Sequence, residues 1–508
     1  MKKQLALISI FLLALGLASA AGAYRGSLTV VLPDDAPTMD PNVSSSGIGL
    51  TIWRWSYDTL VSTDARTGKN VPWLAEKWQK LGPAQYKFWL RKGVKFSDGT
   101  PLTTAAIQYT LDRIRDPELK SVQRGFFTDL DRLEFLDDHT FIWHLKQPDN
   151  GLLHRLARYF HVISPKVKEG PKTAPARQTF GTGPYILKSW TKGLKMVFEA
   201  SPSWWGNGLH PDRPKTVSMR PIRESTTRVK ALLTGEVDVI RGLGAHQIPE
   251  IRRNPGTEVG EVPSVRFFYL SFTNGFGGPF ADQKVRQAVL YAIDIESIRK
   301  TILGGLGEPI GQVYHPWSYT GFSPAKKPHP HDLAKAKALM KESSYPNGFK
   351  ATLVGLHGTY PFDKAAAEAM AGMLKRIGID AAVNAVPFPM YRKLVTAYHT
   401  GVQKDPALIF RSWGTHADSP IIWRATTSCK GIWSVTCFKD LDEMNEKAGA
   451  IIGPREQQAA FEKLTDTMQE RAALGILFRL VDTWGYKKNL RFVPRGDENI
   501  FPWEIGVK

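Results

Sequence analysis

VPWLAEKWQKLGPAQYKFWLRKGVKFSDGTPLTTAAIQYTLDRI, from Val71 to Ile114, sets three kinds of element in succession with sharp punctuation between them. Tyr86 to Leu90 is aromatic-rich and Val94-Lys95-Phe96 alternates, with Arg91-Lys92-Gly93 between, so the spacing predicts a pair of strands. Ser97-Asp98-Gly99-Thr100-Pro101 concentrates turn chemistry, because Asp-Gly tolerates positive φ and Pro sets its own φ. Thr103 or Thr104 then caps a helix that carries Ile107, Leu111 and Ile114 on one face. These elements frame a small domain over 66–180, closed by the Pro-rich basic segment around Pro165 to Pro175.

On the N-terminal side, Ser27 to Leu32 reads as a buried strand ended by Pro33-Asp34-Asp35-Ala36-Pro37. Thr51 to Val61 is an aromatic-rich helix candidate on which Trp53 and Trp55 cannot share a face, so one is expected in the core and the other on a ligand wall. On the C-terminal side, Gly181-Thr182-Gly183-Pro184-Tyr185 turns the chain into strand, Met196 to Ala200 is strand-like, and Pro202-Ser203-Trp204-Trp205-Gly206 is a loop. Thr227 to Leu233 is helical, Gly235 stops it, and Glu236 to Ile240 alternates as a strand. The character changes near Phe267 to Leu270, ahead of a Gly-rich segment from Gly275 to Pro279. Asp282 then caps an apolar-striped helix expected to run to Gly304-Gly305, and Asp332 caps another through Met340. Strand Phe349 to Leu356, helix Lys364 to Ile377, Gly378 as stop and strand Ile379 to Val386 imply a parallel pair with a right-handed crossover. A last long helix holds Phe461, Leu464 and Met468 on one face.

At 508 residues the chain has room for roughly three domains. Lys2-Lys3, the apolar run Leu5 to Leu17 and the small residues Ala18 to Ala23 have the three regions of a secretory signal peptide, with an uncleaved anchor as the alternative. The only cysteines are Cys429 and Cys437, so no cysteine at the end of the signal offers a lipid anchor. Eight residues apart in an exported chain, the pair favours a disulfide over free thiols, and a zinc site lacks partners at CxxC spacing. The formal charge is +19, which becomes +17 once Lys2 and Lys3 are removed with the signal. That charge fits anionic ligands, a membrane surface or nucleic acid, but no five basic residues are consecutive, as on an ordinary solvated face. The chain contains no HExxH, G-x-S-x-G, Walker A or helix-opening G-x-G-x-x-G, so no enzyme class finds support. His329-Pro330-His331 supplies two imidazoles with no third or fourth ligand nearby and reads as the loop before Asp332; no metal or cofactor is expected.

LAEKW with LRKGVKFSDGTPLTTAA, the GTGPY turn followed by its aromatic loop, and PFADQKVRQAVLYAID together resemble the family 5 (peptide and nickel type) substrate-binding proteins of ABC importers, over nearly all of 24–508. The resemblance implies an α/β, two-lobed periplasmic binding protein fold of type II with an extra inserted domain and the ligand in the interlobe cleft. The first lobe would comprise 24–65, 181–268 and 485–508, the inserted domain 66–180, and the second lobe 269–484, after a signal at 1–23. It implies a periplasmic monomer that captures a small solute, an oligopeptide by preference, for a membrane ABC permease, with no nucleic acid as partner. An oligosaccharide or nickel chelate on the same fold, or a basic surface- or nucleic-acid-binding protein, stands as the alternative.

Arg411 to Pro420 resembles the family's Trp-to-Asp loop, whose aspartate receives the ligand's α-amino group in peptide-binding members. This makes Asp418 the ammonium acceptor, with His416 beside it, Trp413 and Trp204 as apolar walls, and Ser46 and Asn274 as neutral partners. Dipeptide-binding members place a carboxylate-clamping arginine after the strand that precedes the helix Lys364 to Ile377. Here His357 and Tyr360 occupy that loop, and an imidazole does not reproduce a guanidinium fork. N-terminal sequencing of the exported protein is expected to start between Ala21 and Tyr24, whereas a chain beginning at Met1 would overturn cleavage.

Overall fold

Two long strands, Thr257–Phe272 and Gly475–Lys487, run antiparallel to each other and form the centre of one eleven-stranded sheet. The computed structural model describes residues 26–508 apart from 65–66, 150, 172, 317–319, 361, 415–418, 430 and 432–433. On one side of the two long strands lie Ala407–Gly414, Phe349–Leu356 and Ile379–Val386, in that order outward. On the other side lie Val239–Arg241, Ser27–Leu32, Thr216–Pro221, Lys195–Ala200 and Tyr185–Thr191. Each half therefore has its own parallel unit. Phe349 pairs with Ile379 through to Leu356 with Val386, and Ser27 pairs with Thr216 through to Leu32 with Pro221.

The expected lobe limits at 268/269 and 484/485 fall inside these two long strands. Residues 257–263 of the first strand pair with 481–487 of the second, whereas 266–272 pair with 408–414 of the other half-sheet. The chain thus crosses between halves twice within unbroken strands. The ladder is irregular between Pro263 and Phe267 and again between Phe268 and Tyr269. A proline without an N–H sits at the first irregularity, where a ladder bond is missing anyway.

The inserted unit carries a four-stranded antiparallel sheet ordered Ala75–Gly82, Gln85–Leu90, Thr140–Leu145, Leu130–Asp137, with the helix Thr104–Arg115 packed on it. Ile107, Leu111 and Ile114 are buried as their spacing requires. Val94–Phe96, however, is not the partner strand of Tyr86–Leu90. The turn over 97–101 folds it back onto Thr100 and Leu102, with Phe96 N donating to Thr100 O (2.8 Å) and Leu102 N to Val94 O (2.9 Å). The LAEKW segment and Thr140–Leu145 take the places beside Tyr86–Leu90 instead.

One apolar core joins the inserted sheet to the first half-sheet, running from Leu28 through Trp53, Trp55 and Tyr57 to Phe88 and Trp143. The helix expected over Thr51 to Val61 instead spans Gly47–Trp53, and both tryptophans are fully buried, so neither walls a ligand. Burial of Trp55, Tyr57 and Leu60 on one irregular segment outweighs the helical pattern. Asp58, also fully buried, accepts from the indole N–H groups of Trp73 (2.6 Å) and Trp205 (3.0 Å) and from the Thr182 hydroxyl (2.9 Å). This carboxylate ties the inserted unit and the aromatic loop to one point. The GTGPY turn approaches the same segment so closely that a Cβ on Gly183 would lie 2.5 Å from the Ser56 carbonyl carbon.

In the second half, Asp282 caps Gln283–Ala292 through Lys284 N (2.8 Å). The stripe does not continue as one helix to Gly304, because Ile293 and Asp294 are extended and Asp294 caps a separate helix, Ile295–Thr301. Glu236 to Asp238 precedes rather than joins its strand, and the Asp238 carboxylate accepts from Thr29 N (2.7 Å) and pairs with Lys487 (2.7 Å). Cys429 and Cys437 are joined by a disulfide. Closing so short a loop contributes roughly 2–3 kcal/mol. Reduction is expected to lower the melting temperature while leaving solute affinity within twofold; two free thiols on the unreduced, unfolded protein would exclude the bridge.

Candidate functional site

Parallel strands end at one side of a sheet, and ligands of open α/β sheets bind in the crevice outside those ends. Here Phe349–Leu356 leads into the loop of His357 and Tyr360, Ala407–Gly414 leads towards 415–418, and Val239–Arg241 ends in a guanidinium. A buried charge network occupies this region. Glu498 receives both Nε (2.5 Å) and Nη2 (2.6 Å) of Arg266, and lies 3.2 Å from Arg241, which also pairs with Asp482 at 2.9 Å. Arg266 and Asp482 come from the two long strands, Arg241 from the first half-sheet and Glu498 from the C-terminal loop. Arg266 also donates to Ser412 Oγ (3.2 Å), and a Cβ on Gly414 would meet its guanidinium carbon at 2.7 Å.

Glu498 is held in the left-handed region at φ +65° although it is not glycine. Such a conformation costs of order 1–3 kcal/mol and persists only where its surroundings over-determine it. The surroundings are the bidentate Arg266, Arg241 Nη1 on its carbonyl at 3.4 Å, and the Thr51 hydroxyl on the same carbonyl at 3.3 Å. Burial opposes ionisation of Glu498, but Arg266 and Arg241 dominate and draw the carboxyl down to about 2. Asp482 has Arg241 as its one ion-pair partner among the described residues, and burial pushes it above the usual carboxylate range.

A third guanidinium, Arg158 at the end of the helix Leu152–Arg158, lies close enough to Glu498 to help ionise it. Its Nη2 donates to the carbonyl of Gly414 (3.2 Å), so this residue spans from the inserted unit to the second half. Among the described residues no carboxylate pairs with it, and its buried Nε has no acceptor. Among the described residues of this network, three guanidinium groups thus stand against two carboxylates. Beside it is a cavity of about 20 Å³ lined by Arg54, Arg158, Asn499 and Phe501 among others, room for about one water. His161 near these arginines is fully buried, and desolvation followed by the charge of Arg54 drives its imidazole down to about 3, leaving it neutral.

The described residues among those expected from sequence are not gathered as a set. Asp418 and His416 lie outside the described residues. Trp413 is half-buried, and its indole N–H is buried without a partner among the described residues. Tyr360 is wedged against Phe268, Phe362 and Arg266; burial pushes its hydroxyl up to about 12. Its loop is held by Asp363, which accepts from Thr359 N (3.1 Å) and Tyr360 N (2.7 Å). His357 is exposed beside them. Trp204, in contrast, is only 2 % exposed, packed among Trp205, Trp503 and His210 under Arg213, so it is core rather than wall. Asn274 spends its amide on Cys437, donating to the carbonyl (3.0 Å) and accepting from the N–H (2.8 Å), and so anchors the disulfide. Ser46 caps the helix Gly47–Trp53. His329 and His331 face the carbonyls of Pro330 and Tyr291 respectively.

Arg158, Arg241, Arg266 and Glu498 escaped the sequence reading. Nothing local marks them, except that GDEN from Gly496 to Asn499 is a polar turn sequence that favours φ > 0.

Comparison with known proteins agrees with this architecture. The profile of bacterial extracellular solute-binding proteins, family 5 Middle, matches residues 69–432. The glutathione-binding protein GsiB of Salmonella choleraesuis (strain SC-B67) is 30% identical over 385 residues, 74% of this chain and 73% of that protein. GsiB of Escherichia coli (strain K12) is 30% identical over 384 residues, with the same coverage. Among solved structures, the binding protein AgaA from A.tumefacien R10 in complex with agropinic acid superposes with a TM-score of 0.81 at 24% identity, over 95% of this chain and 99% of that one. The binding protein DppA from Helicobacter pylori in complex with the peptide STSA gives 0.81 at 22% identity, over 96% and 98%.

The charge network makes a prediction with a definite sign. A folded-state value of about 2 for Glu498, against an ordinary 4.5, contributes stability that is fully present above pH 4.5 and is lost as pH falls towards 2. That difference corresponds to roughly 3 kcal/mol. Glu498→Gln is expected to cost roughly 3–5 kcal/mol at pH 7 by stranding buried guanidinium groups. The gap from the parent should narrow as pH falls through that window, in denaturant melts at pH 7 and pH 3. Equal stability at pH 7 would show that the network contributes nothing.

Proposed function

The chain belongs to the bacterial extracellular solute-binding proteins of family 5, and from that membership we propose that the solute it captures for its ABC importer is a short peptide with free ends. It binds a small solute in the periplasm and works with a membrane ABC permease complex. The finer reading has the ligand's ammonium at Asp418 and its carboxylate at Arg158, with Trp413 and Tyr360 beside the main chain.

The observation that carries it is Arg158. A half-buried guanidinium that bridges the two halves through a neutral carbonyl, with one N–H lacking an acceptor among the described residues, offers a fork for a carboxylate. It supplies the positive clamp that His357 cannot, from the inserted unit. Electroneutrality supports the pairing: a zwitterion brings one charge of each sign, and this reading gives it a cation at Arg158 and a carboxylate at Asp418. Capture without transformation is the reading that family membership supports. The protein works as a monomer, free of nucleic acid, with 1–23 removed on export.

Calorimetry with a panel of di- to pentapeptides in free, N-acetylated and C-amidated forms tests this. Asp418→Asn is expected to weaken free peptides at least tenfold and to leave N-acetylated ones unchanged. Arg158→Gln is expected to weaken free acids at least tenfold and to spare the amides. If N-acetylation is harmless while Arg158→Gln still weakens acids, a carboxylated solute without an amino group replaces the peptide. If both variants bind like the parent, the reading fails.

A further inference from the structure

A second basic feature lies on the inserted unit and shares no residue with the crevice. It is a hollow of about 350 Å³ lined by Arg115, Arg124 and Lys146, with Asp131 as the one acid. Three separate elements bring the cations together. Arg115 ends the helix Thr104–Arg115, Arg124 lies in the 3-10 turn Val122–Phe127, and Lys146 follows the strand Thr140–Leu145.

What holds these cations is neutral. Arg115 Nη2 donates to the carbonyls of Leu130 (2.7 Å) and Phe127 (3.2 Å), and Lys146 Nζ donates to that of Thr128 (2.9 Å). Among the described residues none of the three forms a salt bridge, and the Arg124 guanidinium has no hydrogen-bond partner. Asp131 is engaged from outside the set by Arg132 at 3.0 Å. Burial, and with it the like charge of Arg124, lowers the Arg115 guanidinium below its ordinary value, against the pull of Asp112 and Asp129. Position near a helix C-terminus accounts for Arg115 alone and not for the convergence of the other two.

Arg115 and Lys146 gathered on carbonyls with Arg124 beside them, around a volume in the range of small-ligand sites, favour an anion. Among the lining side chains three cations stand against one acid, and the planar arginine forks suit the oxygens of a phosphate mono- or diester. We propose that this hollow binds a phosphate group, borne by a small soluble ester or by a lipid headgroup. Carbonyl anchoring holds Arg115 and Lys146 in place before the anion arrives, so its binding costs little side-chain entropy.

The exported protein is titrated with inorganic phosphate and glycerol 1-phosphate by calorimetry, and sedimented with phosphatidylglycerol or phosphatidylcholine vesicles. Arg124→Gln and Lys146→Gln alter exposed side chains, so folding is retained and melting curves check it. Saturable binding of the soluble phosphates, at least tenfold weaker in either variant, supports the site with a free ester as its source. Binding to phosphatidylglycerol vesicles alone, lost in the same variants and unchanged in Arg158→Gln, supports it with the lipid headgroup as source. No saturable binding to either, or equal binding by the Arg124→Gln, Lys146→Gln double variant, overturns the proposal.

Discussion

The pairing of Thr257–Phe272 with Gly475–Lys487 is the contact without which this molecule has no crevice. Each strand belongs to one half-sheet at one end and to the other half-sheet at the other, so the ladder between them carries both halves as one body. Remove it and two parallel α/β units remain, each with its own buried face but with no fixed relation. The irregular step between Pro263 and Phe267 interrupts that ladder in its middle, where fewer main-chain bonds resist bending. The charge network then acts across the same place. Arg266 and Asp482 point out of the two strands, and Glu498 brings the C-terminal loop onto them, so the floor of the crevice is set by long-range ion pairs rather than by apolar packing.

Buried ion pairs are weak evidence for stability, because desolvation offsets most of their Coulomb energy. Their role here is geometric. A left-handed glutamate held by two guanidinium groups fixes the loop that carries Asn499 and Phe501, and those residues line the cavity next to Arg158. The aromatic side of the molecule uses the same device with neutral donors. Asp58 collects two indole N–H groups and a hydroxyl, which fastens the inserted unit and the Trp204-Trp205 loop to the first half-sheet. The inserted unit is therefore continuous with the core of that half rather than a separate bead on a linker. The strong positive charge of the chain is distributed accordingly. Much of it is solvated or paired, and the informative part is where guanidinium or ammonium groups converge on carbonyls in place of acids.

Elements whose cause is local were legible from residues alone. Asp282, Asp332, Gly348 and Gly378 cap or turn the chain through bonds to neighbours a few positions away, and Phe349–Leu356 and Ile379–Val386 stand where their alternation put them. The two-lobed α/β family was legible through the resemblance carried by LAEKW, the GTGPY turn and PFADQKVRQAVLYAID, not through any single cap or turn. Errors arose where one local pattern served a distant demand: the helix expected over Thr51 to Val61 gave way to burial of Trp55 and Tyr57, and Asp294 divided a stripe that looked continuous. The site was less legible. Trp204 and Asn274 have the chemistry of ligand residues but are consumed by the core and by Cys437. Arg266 and Glu498 stand 232 positions apart, and no spacing rule connects them. Periodicity and capping act over one turn or one hairpin, so the sequence carries which residues are buried and where elements stop. Which charge meets which across the crevice depends on two strands crossing between half-sheets, and that is a property of the folded chain alone.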